Sequence, residues 1–110
     1  MSGYFEIKKS SDGQFMFNLK AGNHEIILTS ERYTTKAGAQ NGIESVRSSS
    51  PNDSNYERRK SSRGEPYFVL KAANHEVIGR SEMYSSDSAM ENGISSVKGN
   101  GNSNTVKDNA

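Results

Sequence analysis

The sequence predicts an α+β, two-layer protein built as an internal pseudodimer, and three observations carry that reading. Within each half a strand-like alternation gives way to a helical period. The whole pattern recurs at a fixed offset of 51 residues without a gap. Neither half is long enough to bury a substantial core alone, since each lies near the size at which a single core is marginal. Leu19-Lys20-Ala21-Gly22-Asn23-His24-Glu25 returns as Leu70-Lys71-Ala72-Ala73-Asn74-His75-Glu76, and Ser30-Glu31-Arg32-Tyr33 returns as Ser81-Glu82-Met83-Tyr84. Residues 5–50 laid over 56–101 give 21 identities in 46 positions, which duplication explains and chance does not.

The first strand is Tyr4-Phe5-Glu6-Ile7-Lys8-Lys9, with Phe5 and Ile7 on one side and Glu6 and Lys8 on the other. Ser10-Ser11-Asp12-Gly13 supplies turn chemistry, and Phe15, Phe17 and Leu19 repeat the period of two in a second strand. Residues 25–30 form a third, with Ile26 and Leu28 expected to face the same way. Gly22-Asn23-His24 and Ala73-Asn74-His75 lie between the second and third strands, where a two-residue hairpin requires positive φ; His24 and His75 are thereby explained as turn residues. After Tyr33 the period changes. Ala39, Ile43 and Val46, and in the second copy Met90, Ile94 and Val97, fall at i, i+4 and i+7 as a helix packed on a sheet requires. Thr34 or Thr35, and Ser85 or Ser86, are the candidate N-caps. Gly42 and Gly93 each carry a helix penalty of about 1 kcal/mol, which suggests a close approach of helix to sheet.

The chain is expected to be a single pseudodimeric domain over 1–110. Repeat 1 covers about 3–50, a flexible linker about 48–54 and repeat 2 about 55–101. The tail around 104–108 aligns 51 residues beyond Ser54-Asn55-Tyr56-Glu57, so it is expected to be a last strand covering an open sheet edge.

Leu19-Lys20-Ala21, Asn23-His24-Glu25, Ser30-Glu31-Arg32-Tyr33 and Asn41-Gly42-Ile43, their second copies and the closing Thr105-Val106-Lys107-Asp108-Asn109 closely resemble the duplicated YegP-like family of small bacterial proteins. The resemblance covers essentially the whole chain. It implies tandem β-β-β-α-β repeats forming one mainly antiparallel sheet, two helices packed on one face, and C-terminal strands exchanged between repeats. Single-repeat relatives are expected to reach the same arrangement as homodimers. The family has no established activity, so the resemblance assigns no catalytic, cofactor or metal residue. Relatives commonly carry Gly where His24 and His75 stand here, which favours the turn reading of both.

Composition narrows the function further. The chain has no cysteine, which excludes disulfides, thiolate nucleophiles and cysteine zinc sites. Its start, Met1-Ser2-Gly3-Tyr4-Phe5, lacks the basic region and apolar run of a signal peptide, and no stretch approaches a transmembrane helix; a soluble cytoplasmic protein without a membrane role is expected. Net charge is +1 and is even along the chain, with 6 cations and 6 anions in residues 1–54 and 8 and 7 in residues 55–110. A nucleic-acid protein shows a basic excess or a basic face, so nucleic-acid binding is the least favoured partner class.

No catalytic motif is evident: a Gly-x-Ser-x-Gly elbow and a Walker-type lysine loop are both missing. Six residues are candidates for a functional surface. His24 and His75 would be ligands or proton carriers only if a pseudo-twofold brought them together. Arg58 and Arg59 lie among Lys60, Arg63, Tyr56 and Tyr67 as a basic stretch, but strand alternation sends the two arginines to opposite faces. Tyr33 and Tyr84 suit either a partner surface or a strand-to-helix corner, and the corner is favoured. The sheet face bearing Glu6, Lys8, Lys20 and Lys71 with Met16 and Tyr67 would be uncovered if both helices share one side. A non-catalytic binding module that takes a protein partner and acts as a pseudosymmetric monomer is the leading reading. A small-ligand or enzymatic site at the junction between repeats is the alternative.

Overall fold

The computed structural model describes residues 3–110. The first copy supplies β1 (Tyr4–Lys9), β2 (Phe15–Lys20), β3 (Ile26–Ser30) and α1 (Lys36–Ser49). The second supplies β4 (Tyr56–Lys60), β5 (Pro66–Lys71), β6 (Val77–Arg80) and α2 (Asp87–Asn100), and β7 (Val106–Asp108) closes the chain. The seven strands form one sheet in the order β4-β5-β6-β3-β2-β1-β7. Neighbours are antiparallel except β1 and β7, which run parallel.

The β1–β2 turn and its repeat hold Gly13 and Gly64 at φ of 82° and 80°, a conformation that a Cβ disfavours. The β2–β3 connection is one residue longer than the expected two-residue hairpin. Ala21 N–H donates to Glu25 O and His24 N–H to Ala21 O, both at 2.9 Å, so Gly22-Asn23-His24 is a three-residue loop. His24 closes it at φ 69°, as His75 does at the same φ in the second copy. The extra residue carries into the strands. Leu19 pairs with Leu28 but Lys20 pairs with Ile26, so Ile27 is the extra residue of a β-bulge. The expected inward pair Ile26 and Leu28 is therefore corrected: Ile27 and Leu28 are buried, whereas Ile26 is 41% exposed.

Thr35 and Ser86 are the N-caps, their hydroxyls accepting from Gly38 N–H at 3.0 Å and Ala89 N–H at 3.1 Å. Ala39, Ile43 and Val46 on α1 and Met90, Ile94 and Val97 on α2 are buried in the same cluster as Phe5, Ile7, Phe17, Leu19, Phe68 and Leu70. Both helices thus cover one face of the sheet and the opposite face is open. Each helix also reaches across the copies: α1 lies over β2, β5 and β6, and α2 over β5, β3 and β2. No helix among the described residues is long and apolar enough to cross a membrane.

The copies meet where β3 pairs with β6 through Thr29↔Arg80 and Ser30↔Gly79. Thr29 and Arg80 are equivalent positions, so the pseudo-twofold axis passes between them. Two further equivalent pairs near this axis are unequal in size. A Cβ on Gly79 would stand 2.7 Å from Thr29 O and 3.2 Å from the Leu28 side chain, and Leu28 is its counterpart. A Cβ on Gly101 would stand 2.6 Å from Cβ of Ser50, its counterpart at the end of α1.

By repeat β7 belongs to the second copy, yet it pairs with β1 of the first. Phe5 N–H donates to Thr105 O at 3.0 Å and Asn109 N–H to Ile7 O at 2.9 Å. The corresponding segment of the first copy passes through a 3-10 turn, Asp53–Asn55, directly into β4. The outer edge of β4 consequently carries no strand among the described residues.

Gly42 and Gly93 mark the close approach that their place in a helix suggested. A Cβ at Gly42 would stand 2.8 Å from the Phe17 ring and nearer still to the Tyr33 hydroxyl; at Gly93 it would stand 2.7 Å from the Tyr84 ring. Gly99, in the last turn of the same helix, has open space around it. Helix propensity alone predicts that alanine stabilises at both sites by up to about 1 kcal/mol. Gly99→Ala is expected to do so, whereas Gly93→Ala is expected to destabilise by about 1–3 kcal/mol through overpacking. Equilibrium urea unfolding of the two variants tests this, and equal stabilisation of both would refute the packing account.

Candidate functional site

The open face can be read directly from the register. Glu57, Val69, Arg80, Thr29, Asn18, Glu6 and Lys107 pair in succession from β4 to β7, forming one row across all seven strands. Lys8 and Met16 pair to one side of this row on β1 and β2, as Arg59 and Tyr67 do on β4 and β5. Tyr4 and Lys20 pair to the other side. Tyr4 and Val69 are 7% and 3% exposed and lie outside the helix-side core, so they form a thin apolar floor on this face.

Two ion-pair clusters repeat between the copies. Glu6 is 2.8 Å from Lys20 and 3.6 Å from Lys8, and Asn109 donates to it. Glu57 is held in the same way between Lys71 and Arg59. The hydrogen bond from Lys20 holds the Glu6 carboxyl below its ordinary value, with Lys8 adding to the effect; the bond from Lys71, then that from Arg59, does the same for Glu57. The Lys107 ammonium sits 4.4 Å over the Tyr4 ring, which is also approached by Lys20 at 5.9 Å.

These placements revise the charge reading. Six cations, Lys8, Lys20, Arg59, Lys71, Arg80 and Lys107, lie in the row or beside it with Glu6 and Glu57, and Glu25 and Glu82 line a groove together with Thr29 and Arg80 of the row. Charge is even along the chain, but strand alternation gathers these six cations on one face with carboxylates set among them.

The candidate residues divide three ways. Tyr33 and Tyr84 are corners. Tyr33 exchanges two backbone hydrogen bonds of 2.7 Å with Phe15 and stacks on Phe17 at 6.3 Å, and Tyr84 bonds to Pro66 O at 2.8 Å and stacks on Phe68 at 6.4 Å. Burial pushes both phenols up. His24 and His75 are exposed turn residues at opposite ends of the β3–β6 seam. Ten residues of strand separate them, on the order of 30 Å at 3.3 Å per residue, so the axis does not bring them together. His24 Nδ1 instead lies 2.9 Å from the Tyr4 hydroxyl.

Arg58 and Arg59 do part company. Arg59 joins the open face, whereas Arg58 lies on the helix side, where its Nη2 donates to Glu91 at 2.9 Å and to Asp53 at 3.2 Å. Asp53 also accepts from Lys98 at 2.9 Å. Arg58 is the counterpart of the fully buried Ile7 and lies on the uncovered edge strand. At the junction there is a shallow open groove of about 760 Å3 lined by His24, Glu25, Ile26, Thr29, Arg80, Ser81 and Glu82. Among the described residues no three His, Cys, Asp or Glu side chains gather as a metal would require.

The family described as "Domain of unknown function (DUF1508)" matches the sequence twice, over residues 10–57 and 61–108. The chain belongs to this family. It is 60% identical over 109 residues to the UPF0339 protein YegP of Escherichia coli strain K12, with 99% of each chain covered. It is 57% identical over 108 residues to a UPF0339 protein of Shewanella oneidensis, with 98% of each covered. The fold agrees with solution NMR structures of both kinds. The E. coli yegP structure, of a protein of unknown function, superposes at a TM-score of 0.94 over 99% of this chain and 94% of that one, at 60% identity. The S. oneidensis structure gives 0.92 over 98% and 92%, at 57% identity. No catalytic function is indicated for these relatives, and the tandem α+β architecture expected from the resemblance is the one observed.

Arg58 leads to a first expectation for the site. An inward-pointing charge on an edge strand deters pairing with another chain, so Arg58→Ile, which restores the residue type of Ile7, is expected to self-associate as concentration rises. Sedimentation velocity that shows the variant and the parent with the same concentration dependence would refute this role. The carboxylates yield a second. Glu6 and Glu57 titrate lower in the fold than their ordinary value of 4.5, so on acidification the unfolded chain takes up protons first. Their stabilisation is complete above about pH 4.5 and is lost as pH falls through the lower folded values. Melting temperatures from pH 7 to 3 should therefore drop less steeply below 4.5 for a Glu6→Gln, Glu57→Gln double variant than for the parent. Parallel acid limbs would exclude these two groups as contributors.

Proposed function

We propose that the protein is a binding module without catalytic activity, that it works in the cytoplasm as a pseudosymmetric monomer, and that the open sheet face is the surface it offers to a protein partner. The observation that carries this reading is the gathering of six cations on one face of the sheet, one from each of six strands, in a chain whose net charge is only +1. A face whose sole task was solvation would not need its cations gathered on one side. The apolar floor under them, Tyr4 and Val69 with the half-buried Met16 and Tyr67, gives the surface something to bury as well as something to pair.

The junction groove supports the same preference over a small-ligand site. It is shallow, it includes His24 but not His75, and it opens on one side of the seam. Ligand sites bury most of their ligand in a concave, largely preformed pocket. Photo-cross-linking in living cells separates the surfaces: a benzophenone amino acid at Thr29 or Met16 should trap a discrete protein adduct, and one at Asn41 or Asn92 on the outer sides of the helices should not. Adducts from the helix positions alone would move the binding surface to the other layer.

A further inference from the structure

We infer that the partner segment this face takes is acidic and polypeptide, lying across the strands rather than along them. The inference rests on the reading of the open face as a binding surface and adds the chemistry of what binds there.

The placement of the cations sets the direction. Six of the seven strands contribute one each: Arg59 from β4, Lys71 from β5, Arg80 from β6, Lys20 from β2, Lys8 from β1 and Lys107 from β7. Strands lie about 4.8 Å apart, so the set extends over roughly 29 Å in the direction perpendicular to them. A ligand lying along one strand meets only the cations of that strand and its neighbours, such as Lys8, Lys20 and Lys107 around β1. One crossing the sheet passes Arg80 and Lys107 in the row and the other four to either side of it.

Not all of that charge is already spoken for. Glu6 and Glu57 compensate the cations beside them, but Arg80 is exposed at the centre of the face and stands outside both ion-pair clusters. Lys107 is exposed at the edge and rests on an aromatic ring as well as beside Glu6 across the β1–β7 pair. A carboxylate-rich segment gains most at these two points, where no ion pair among the described residues has to be broken first, and it enters past Glu25 and Glu82, which line the groove with Arg80.

Two features distinguish polypeptide from nucleic acid. Single-stranded nucleic acids need open aromatic faces on which bases stack, and here the Tyr4 ring is 7% exposed and covered by Lys107 while Tyr67 is half-buried beside Arg59. Moreover, Glu6 and Glu57 stand within the row itself. They would oppose a continuous phosphate backbone, but they can accept hydrogen bonds from the N–H groups of a peptide.

The test uses a fluorescein-labelled peptide of about nine residues rich in glutamate, a length that spans the ~29 Å row at 3.3 Å per residue, beside an oligothymidylate of equal charge. At low salt the peptide should bind the intact protein, its affinity should fall as salt rises, and the amide shifts it causes should centre on Arg80 and Lys107. Arg80→Glu should weaken binding about tenfold or more, and Lys107→Gln by a smaller factor. Arg63→Glu, the same charge change in the β4–β5 turn, should alter it by less than about twofold. Equal losses for Arg80→Glu and Arg63→Glu would overturn the inference by showing that only net charge is sensed. Tighter binding of the oligothymidylate on the same residues would overturn the polypeptide class and leave the face intact as a binding surface. Shifts confined to the helix layer would overturn the face itself.

Discussion

Two strand pairings, Thr29 with Arg80 and Ser30 with Gly79, together with one further bond from Glu31 N–H to Ile78 O, join the two copies into a single sheet, and everything else depends on that short seam holding. Backbone pairing this brief contributes little by itself, since a hydrogen bond made on folding replaces one to water. The seam holds because the helices cross it. α1 rests on β5 and β6 as well as on its own copy's β2, and α2 on β2 and β3 as well as β5, so neither helix can bury its stripe unless the other copy is in place. A core divided at the seam would leave Ile43, Val46, Ile94 and Val97 partly in water, and each such side chain buried is worth about 1.5–3 kcal/mol.

The same seam explains where the copies must differ. Residues related by a twofold axis and lying close to it occupy neighbouring space, and two large side chains there collide. Leu28 faces Gly79, and Ser50 faces Gly101: in each pair the second copy has given up its side chain. The edges of the sheet diverge for a related reason. β7 satisfies β1, but the matching segment of the first copy is spent in reaching β4, whose outer edge carries no strand among the described residues. Arg58 stands where the first copy has Ile7, and with Asp53, Glu91 and Lys98 it turns what would be an apolar landing site into a charged one.

Much of this was legible in the sequence, and what was not shares a physical cause. Alternation located every strand of the first copy, the i, i+4, i+7 stripes located the helices, and the 51-residue offset found β7 despite its three residues. The inward residues of β3 were misassigned because a bulge shifts strand parity by one, and nothing local in Glu25-Ile26-Ile27-Leu28 announces the bulge. The open face was readable for Glu6, Lys8, Lys20 and Lys71, which lie on regular strands. Arg80 and Lys107 were missed because β6 and β7 are short and take their facing from long-range pairing. The ion network around Arg58 was equally hidden, since Glu91 lies 33 residues away.

The centre of the open face shows what duplication permits that a symmetric dimer would not. Thr29 and Arg80 are equivalent positions paired directly across the axis, where opposed side chains stand about 5 Å apart. A dimer of identical units would place either two threonines there, giving up the central charge, or two arginines, whose repulsion would strain the one seam that holds the sheet together. Joining two unequal units in one chain puts a single cation on the axis, outside every ion pair of the described residues. The faithful parts of the repeat, Glu6 with Lys8 and Lys20 and Glu57 with Arg59 and Lys71, build two matched flanks. The broken symmetry between them sets the one cation of the central pair, Arg80 opposite Thr29, at the middle of the row.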